Sequence, residues 1–167
     1  FILHQLPGQA RQAQLHGGQG AFRFVAMDVT DTASVNAGVA DVIQRAGKLD
    51  VVINNAGMGI QGPVEDITPE LAQRSLDINV IGPHRVCRAV LPQMRSQGGG
   101  TIINITSVAG NFGLPYRSFY SAGKAALERY SEALSTEVAR FGITVLTMQP
   151  GEFNTNIAAA RLRPDSI

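Results

Sequence analysis

Residues 101–124 read TIINITSVAGNFGLPYRSFYSAGK. The run at 101–105 is rich in β-branched residues and predicts a buried strand, and the small polar pair Thr106 and Ser107 falls where that strand ends. In open α/β sheets the ligand crevice lies beyond the carboxyl ends of the strands, so topology alone places Ser107 at a binding edge. Tyr120 and Lys124 are four residues apart in a segment that predicts helix, which puts them on one face, one turn apart. An ammonium held near a phenol favours the phenolate. A hydroxyl such as Ser107 can then hydrogen-bond a substrate oxygen while Tyr120 gives or takes the proton on it. That combination suits interconversion of a carbonyl and an alcohol. The same residues can also be a packing tyrosine, a solvated helix lysine and a turn serine, because Tyr-x-x-x-Lys alone is common by chance.

Working outward, residues 119–141 form the best amphipathic pattern in the chain, with Leu127, Tyr130, Leu134, Val138 and Phe141 at three- and four-residue intervals. The small residues Ala122, Gly123, Ala125 and Ala126 allow close helix packing near the tyrosine. A strand at 143–148 follows, then Pro150, Gly151 and, farther on, Thr155. Upstream, an apolar strand at 49–53 switches abruptly to Asn54-Asn55-Ala56-Gly57, where small residues let a flat ligand approach the backbone. A glycine-assisted turn explains the same four residues. Thr68 and Pro69 predict a cap and first-turn proline for a long helix to about residue 95, which Pro83 and Pro92 are expected to interrupt. Asn79 lies within that helix, where it either holds a local backbone distortion and a water or is simply exposed.

Nearer the amino end, residues 22–27 predict a strand closing on Asp28, Val29 and Thr30, with Asp28 either at the binding edge or capping a helix. Residues 32–46 suit a helix buried through Val35, Val39, Val42 and Ile43 and stopped by Gly47. Phe1 to Leu3 can be the remnant of a strand, and residues 9–15 a short helix ended by Gly17 and Gly18. Strands near 22, 49, 101 and 143 alternate with helices. The expected fold is therefore a three-layer, Rossmann-like, doubly wound parallel α/β sheet, incomplete, in one domain spanning residues 1–167.

Composition narrows the function classes. The 167 residues include 14 basic and 13 acidic ones without long runs of one sign, which argues against an electrostatic nucleic-acid platform. No apolar run approaches the roughly 20 residues of a membrane span, and the opening FILHQLPGQA lacks the pattern of a secretory signal. One cysteine, Cys87, excludes an internal disulfide and a cysteine metal cluster, so a reducing, cytoplasmic setting is the default. His4, His16 and His84 have no metal-ligand spacing, and no metal is expected. Phe112, Leu114, Pro115, Tyr116, Phe153 and Ile157 suggest an apolar rim, compatible with steroid, fatty, aromatic or small carbonyl substrates.

Taken together, the chain resembles the classical short-chain dehydrogenase/reductase family over residues 20–157. Asn54-Asn55-Ala56-Gly57 is similar to that family's Asn-Asn-Ala-Gly motif, and Asn79, Ser107, Tyr120 and Lys124 are similar to its catalytic set in order and spacing. Asp28 and Val29 look like the pair that touches the cofactor adenine, and Pro150-Gly151 with Thr155 resembles the segment on the nicotinamide side. The resemblance implies an oxidoreductase that uses NAD or NADP, without indicating which, to transfer hydride to or from a carbonyl or secondary alcohol. It implies proton transfer by Tyr120, with Lys124 lowering the phenol pKa and binding the nicotinamide ribose. Ser107 would orient the substrate oxygen, and Asn79 would hold a water of a proton relay. Cofactor contacts are implied for Asp28, Val29, Asn55, Ala56, Gly57, Tyr120, Lys124, Pro150, Gly151 and Thr155. A homodimer or homotetramer through the two long helices is also implied.

Departures bound the resemblance. Nothing matches the family's Thr-Gly-x-x-x-Gly-x-Gly phosphate turn, because Gly17, Gly18 and Gly20 precede what resembles its third strand. The end of the second strand, where a charged residue separates NAD from NADP preference, is also expected to be missing. Loss of a central first strand would leave buried backbone edges unpaired. The second reading is therefore a noncatalytic nucleotide-binding or assembly protein derived from the same fold.

Overall fold

Gly47 ends the first helix as the sequence predicts, and Asp31 caps its start. The Asp31 carboxylate accepts the Ala33 N–H at 2.9 Å, and Gly47 closes the other end in the left-handed region at φ 75°. The computed structural model describes residues 2–4, 23–151 and 163–164. In chain order these form β1 (Ile2–His4), β2 (Phe24–Ala26), α1 (Thr32–Ala46), β3 (Val51–Asn54), α2 (Pro69–Leu76), a wide π-turn (Asp77–Ile81), α3 (Gly82–Ser96), β4 (Gly100–Ile105), α4 (Ser118–Val138) and β5 (Ile143–Met148). The expected helix at 9–15 lies outside the described residues.

All strand pairs are parallel. β1 pairs with β2, while β3, β4 and β5 form a second sheet in that order, with Asn54 opposite Asn104 and Ile105 opposite Met148. The expected remnant at 1–3 is thus a strand beside β2, and the residues after its end lie outside those described. No hydrogen-bonded ladder joins the two sheets, and β3 has no partner on its side away from β4, among the described residues. In the doubly wound order 3-2-1-4-5-6, that gap falls where the first strand would lie.

Alternation along the strands decides where the core sits. Val52, Asn54, Ile102, Asn104, Ile143 and Val145 point into one buried layer with Val35, Val39 and Val42 of α1, Val86, Val90 and Met94 of α3, and Leu134 and Val138 of α4. The opposite side chains are bare: Val51 is 54% and Ile53 57% exposed, with Leu146 and Met148 similarly open. The parallel sheet is flanked by helices as expected, and the described helices form one of the two layers that a doubly wound sheet carries.

The long helix of the sequence reading is two helices joined by the π-turn. Thr68 caps α2, accepting the Leu71 N–H at 3.3 Å, and Pro69 opens it. The break lies ahead of Pro83, where the Gly82 N–H reaches five residues back to Asp77 O, while Pro92 sits inside α3 without ending it. The C-terminal helix ends as α4 at Val138 and tightens into a short 3₁₀ turn through Phe141.

Candidate active site

Three strand ends share one edge, with Asn55 to Gly57 after β3, Ser107 after β4, and Pro150 with Gly151 after β5, while Asp28 and Val29 follow β2 of the other sheet, Val29 lying against Gly82 at the start of α3. Backbone bonds fix the β4 and β5 ends together, since Thr106 N–H donates to Met148 O at 2.8 Å and Val108 N–H to Pro150 O at 3.5 Å. Thr155, Phe153 and Ile157 lie outside the described residues.

Lys124 is the electrostatic centre. Its ammonium is buried, donates to Ile105 O at 2.8 Å, and lies 5.8 Å from the centre of the Tyr120 ring. It pairs with no carboxylate among the described residues, and burial lowers its pKa from 10.5 to about 8. Tyr120, one turn before it on α4, packs beside Ile60, Ile67 and Ala72. Ser107 caps a short 3₁₀ turn, its Oγ accepting the Ala109 N–H at 3.2 Å. That turn lies directly on the lysine's backbone, because a Cβ on Gly110 would stand 3.1 Å from Lys124 C and Ala125 N. Ser107 and Lys124 are thereby held on neighbouring elements without depending on a side-chain bond between them.

Asn79 sits in the π-turn, at the distortion that one of its two sequence readings anticipated. Its Nδ2 donates to Met58 O at 2.8 Å and Ser75 O at 2.9 Å, while Oδ1 accepts the Met58 N–H at 3.1 Å. A Cβ on Gly57 would lie 3.1 Å from Asn79 Oδ1 and 3.5 Å from Lys124 Nζ. The missing side chain thus lets the Asn79 amide and the Lys124 ammonium pack closely on the Gly57 backbone.

On the β2 side, Asp28 is not the helix cap; Asp31 is. Asp28 Oδ1 instead closes its own turn, accepting Thr30 N–H at 2.9 Å and Thr30 Oγ1–H at 2.8 Å. Those bonds, with the Arg85 guanidinium nearby, hold its carboxyl below the usual range. Among the expected rim residues, Phe112 and Tyr116 are exposed, and Tyr116 adopts φ 61° with its carbonyl accepting the Gly62 N–H at 2.9 Å. Of the small residues on α4, Gly123 packs inward against Leu76, Asn79 and Val80, while Ala122 and Ala126 face outward.

A buried polar chain was missed from the sequence. Asn54 Nδ2 donates to Asn104 Oδ1 at 2.8 Å, Asn104 Nδ2 donates to Ser131 Oγ at 2.8 Å, and Ser131 Oγ–H donates to Leu127 O at 2.6 Å. It ties the strands before the Asn55 and Ser107 loops to α4. The signal was available as asparagines inside apolar strands, where an uncharged polar side chain needs a partner.

Known proteins match the same arrangement. The short chain dehydrogenase family matches residues 4–165. A 3-ketodihydrosphingosine reductase of Bacteroides thetaiotaomicron is 47% identical over 142 residues, 85% of this chain and 53% of that protein. A short-chain dehydrogenase from Streptomyces avermitilis superposes with a TM-score of 0.79 at 42% identity, covering 85% of this chain and 54% of that one. A gluconate 5-dehydrogenase from Burkholderia cenocepacia, in complex with NADP and tartrate, gives 0.78 at 31% identity over 82% of this chain and 54% of that one. The chain spans about half the length of these relatives. With the parallel sheet, the strand-end loops and the match across residues 4–165 in agreement, the chain belongs to the short-chain dehydrogenase family.

Proposed function

We propose that the protein interconverts a carbonyl and a secondary alcohol with NAD or NADP. The observation that carries this reading is the buried Lys124 ammonium, which has no carboxylate partner among the described residues and lies beside Tyr120 at the ligand edge of the sheet. Leaving a cation so placed is costly unless it serves a developing negative charge. When bound, the nicotinamide supplies the hydride chemistry.

The chain's own residues would handle the oxygen. Ser107 Oγ orients it, Tyr120 Oη gives it a proton in reduction or removes one in oxidation, and Lys124 stabilises the phenolate that results. Asn79 holds the Gly57–Met58 backbone in place. The strand-end loops support a cofactor lying across them, with Asp28 and Val29 toward its adenine and Asn55, Ala56, Gly57, Pro150 and Gly151 along its length, and the resemblance adds Thr155.

The exposed apolar rim at Phe112 and Tyr116, and the likeness to a 3-ketodihydrosphingosine reductase, support a ketone carrying a long alkyl chain. A homodimer or homotetramer and a cytoplasmic location complete the reading. No helix among the described residues is long and apolar enough to cross a membrane.

The test is turnover by the purified full-length protein with NADH and NADPH over a panel including 3-ketodihydrosphingosine and short ketones. Tyr120→Phe should reduce kcat by about 10²-fold or more while cofactor still binds. Failure to bind either cofactor, or full activity in the variant, would overturn the reading. Light scattering tests the oligomer.

A further inference from the structure

Arg85, on the first turns of α3, reaches three separate segments. Nη1 donates to Val29 O at 3.0 Å, Nε donates to Thr32 Oγ1 at 3.2 Å, and Nη2 lies 2.8 Å from Asp77 Oδ1. Val29 belongs to the turn after β2, Thr32 begins α1, and Asp77 opens the π-turn that carries Asn79. The side chain is only 18% accessible, so the bond to Val29 O is partly sheltered from solvent, whereas the bond to Thr32 Oγ1 is exposed.

The surrounding backbone is already shaped for this clamp. Gly82, three residues before Arg85, lies against the same turn: a Cβ there would stand 3.0 Å from Val29 Cβ and Cγ2. The Asp28 to Thr30 turn is stiffened internally by the two Thr30 bonds to Asp28. What remains to be fixed is the position of this stiff unit relative to α3 and the π-turn, and a planar fork with three differently directed donors supplies that constraint. A lysine ammonium at the same place could keep the charge but not the three directions.

We propose that Arg85 is a positioning residue for the adenine side of the cofactor site, locking the Val29 carbonyl against the π-turn that presents Asn79. The proposal rests on the reading of Asp28 and Val29 as adenine-side residues. Arg85 acts through that turn and touches neither substrate nor the reacting atoms.

The experiment measures binding of NADH, NADPH and ADP-ribose to the full-length protein by titration calorimetry, beside steady-state kinetics, for wild type, Arg85→Gln, Arg85→Lys, Asp77→Asn and Asp28→Ala. Arg85→Gln should weaken ADP-ribose and dinucleotide binding about tenfold, as expected for loss of charge-assisted bonds. KM for the cofactor should rise in parallel while kcat at saturation stays within about threefold. Arg85→Lys should recover only part of the affinity, and Asp77→Asn, the milder change, should shift it in the same direction. A fall in thermal midpoint with unchanged ADP-ribose affinity in both Arg85→Gln and Asp77→Asn would overturn the proposal, as would full rescue by lysine. If Asp28→Ala weakens binding while the Arg85 variants do not, the positioning proposal alone fails. If Asp28→Ala leaves ADP-ribose binding unchanged, the adenine-side reading fails and takes the proposal with it.

Discussion

Asn79 and Met58 hold each other through both faces of an amide: the side-chain Nδ2 donates to Met58 O at 2.8 Å and the side-chain Oδ1 accepts the Met58 N–H at 3.1 Å. The π-turn aims the asparagine out of the helix path and toward the loop after β3, so a helix defect becomes a fastening for the cofactor-side backbone. Asn79→Leu removes acceptor and donor together, leaving the Met58 N–H and the Met58 and Ser75 carbonyls without this partner. The expected cost is about 1–3 kcal/mol of stability, with faster amide exchange at Met58. Urea unfolding and hydrogen exchange check it; unchanged protection at Met58 would show that the loop is held by other contacts.

Lys124 makes stability depend on alkaline pH in a specific direction. Its pKa in the folded protein is about 8 against an ordinary 10.5, so between those values the unfolded chain binds the proton that the folded one has released. Unfolding free energy should therefore rise with pH across this window, by up to about 3 kcal/mol over its full width, and Lys124→Met should remove the rise. Over the same interval the ammonium beside Tyr120 is lost, so any step that depends on its charge slows above pH 8. Denaturant titrations at several pH values, wild type against variant, measure the first effect. A difference that is flat or falls with pH would count against a buried, desolvated ammonium.

The sequence made several helix ends and strand ends legible because each carries local chemistry: Gly47 closing α1, Thr68 and Pro69 opening α2, and Ser107 just beyond β4. It also brought out Tyr120 and Lys124 by their helical spacing, and Asn79 as an asparagine inside a helix. The two-helix break was placed at the prolines, whereas the π-turn lies ahead of Pro83 and is defined by a five-residue backbone bond that periodicity does not reveal. The pairings of the Arg85 clamp beyond Asp77, and of the Asn54–Asn104–Ser131 chain, were illegible for a different reason: these partners are 27 to 56 residues apart and meet only through tertiary packing.

Gly110 and Gly123 should respond oppositely to the same substitution. A Cβ at Gly110 would lie 3.1 Å from backbone atoms of Lys124 and Ala125, which a helix cannot readily move, so Gly110→Ala should destabilise by about 1–3 kcal/mol and disturb Ser107 and Lys124 together. At Gly123 the nearest atom would be Asn79 Cβ at 3.6 Å, an ordinary contact, and alanine is the better helix former by about 1 kcal/mol. Gly123→Ala is therefore expected to be neutral or stabilising. Thermal or chemical unfolding of the pair checks the contrast, and an equal loss in both would mean that α4 packs more tightly on the π-turn than these distances imply.

Asn104 offers the sharpest test of the buried polar chain. It is fully buried and bridges Asn54 on the neighbouring strand to Ser131 on α4, so Asn104→Leu removes the acceptor of one bond and the donor of the next while adding no compensating partner. Among the described residues Asn54 Nδ2 retains only a long contact to Cys87 Sγ at 3.7 Å, whereas Ser131 still donates to Leu127 O. The asymmetry predicts that most of the loss falls on Asn54, the residue just before the Asn55–Gly57 loop. A cost of about 2–4 kcal/mol is expected, and Asn54→Leu combined with Asn104→Leu should cost less than the sum of the single changes, because an unpaired buried amide is then removed. A double-mutant cycle by urea unfolding measures the coupling; strict additivity would mean that the two asparagines stabilise the strands independently.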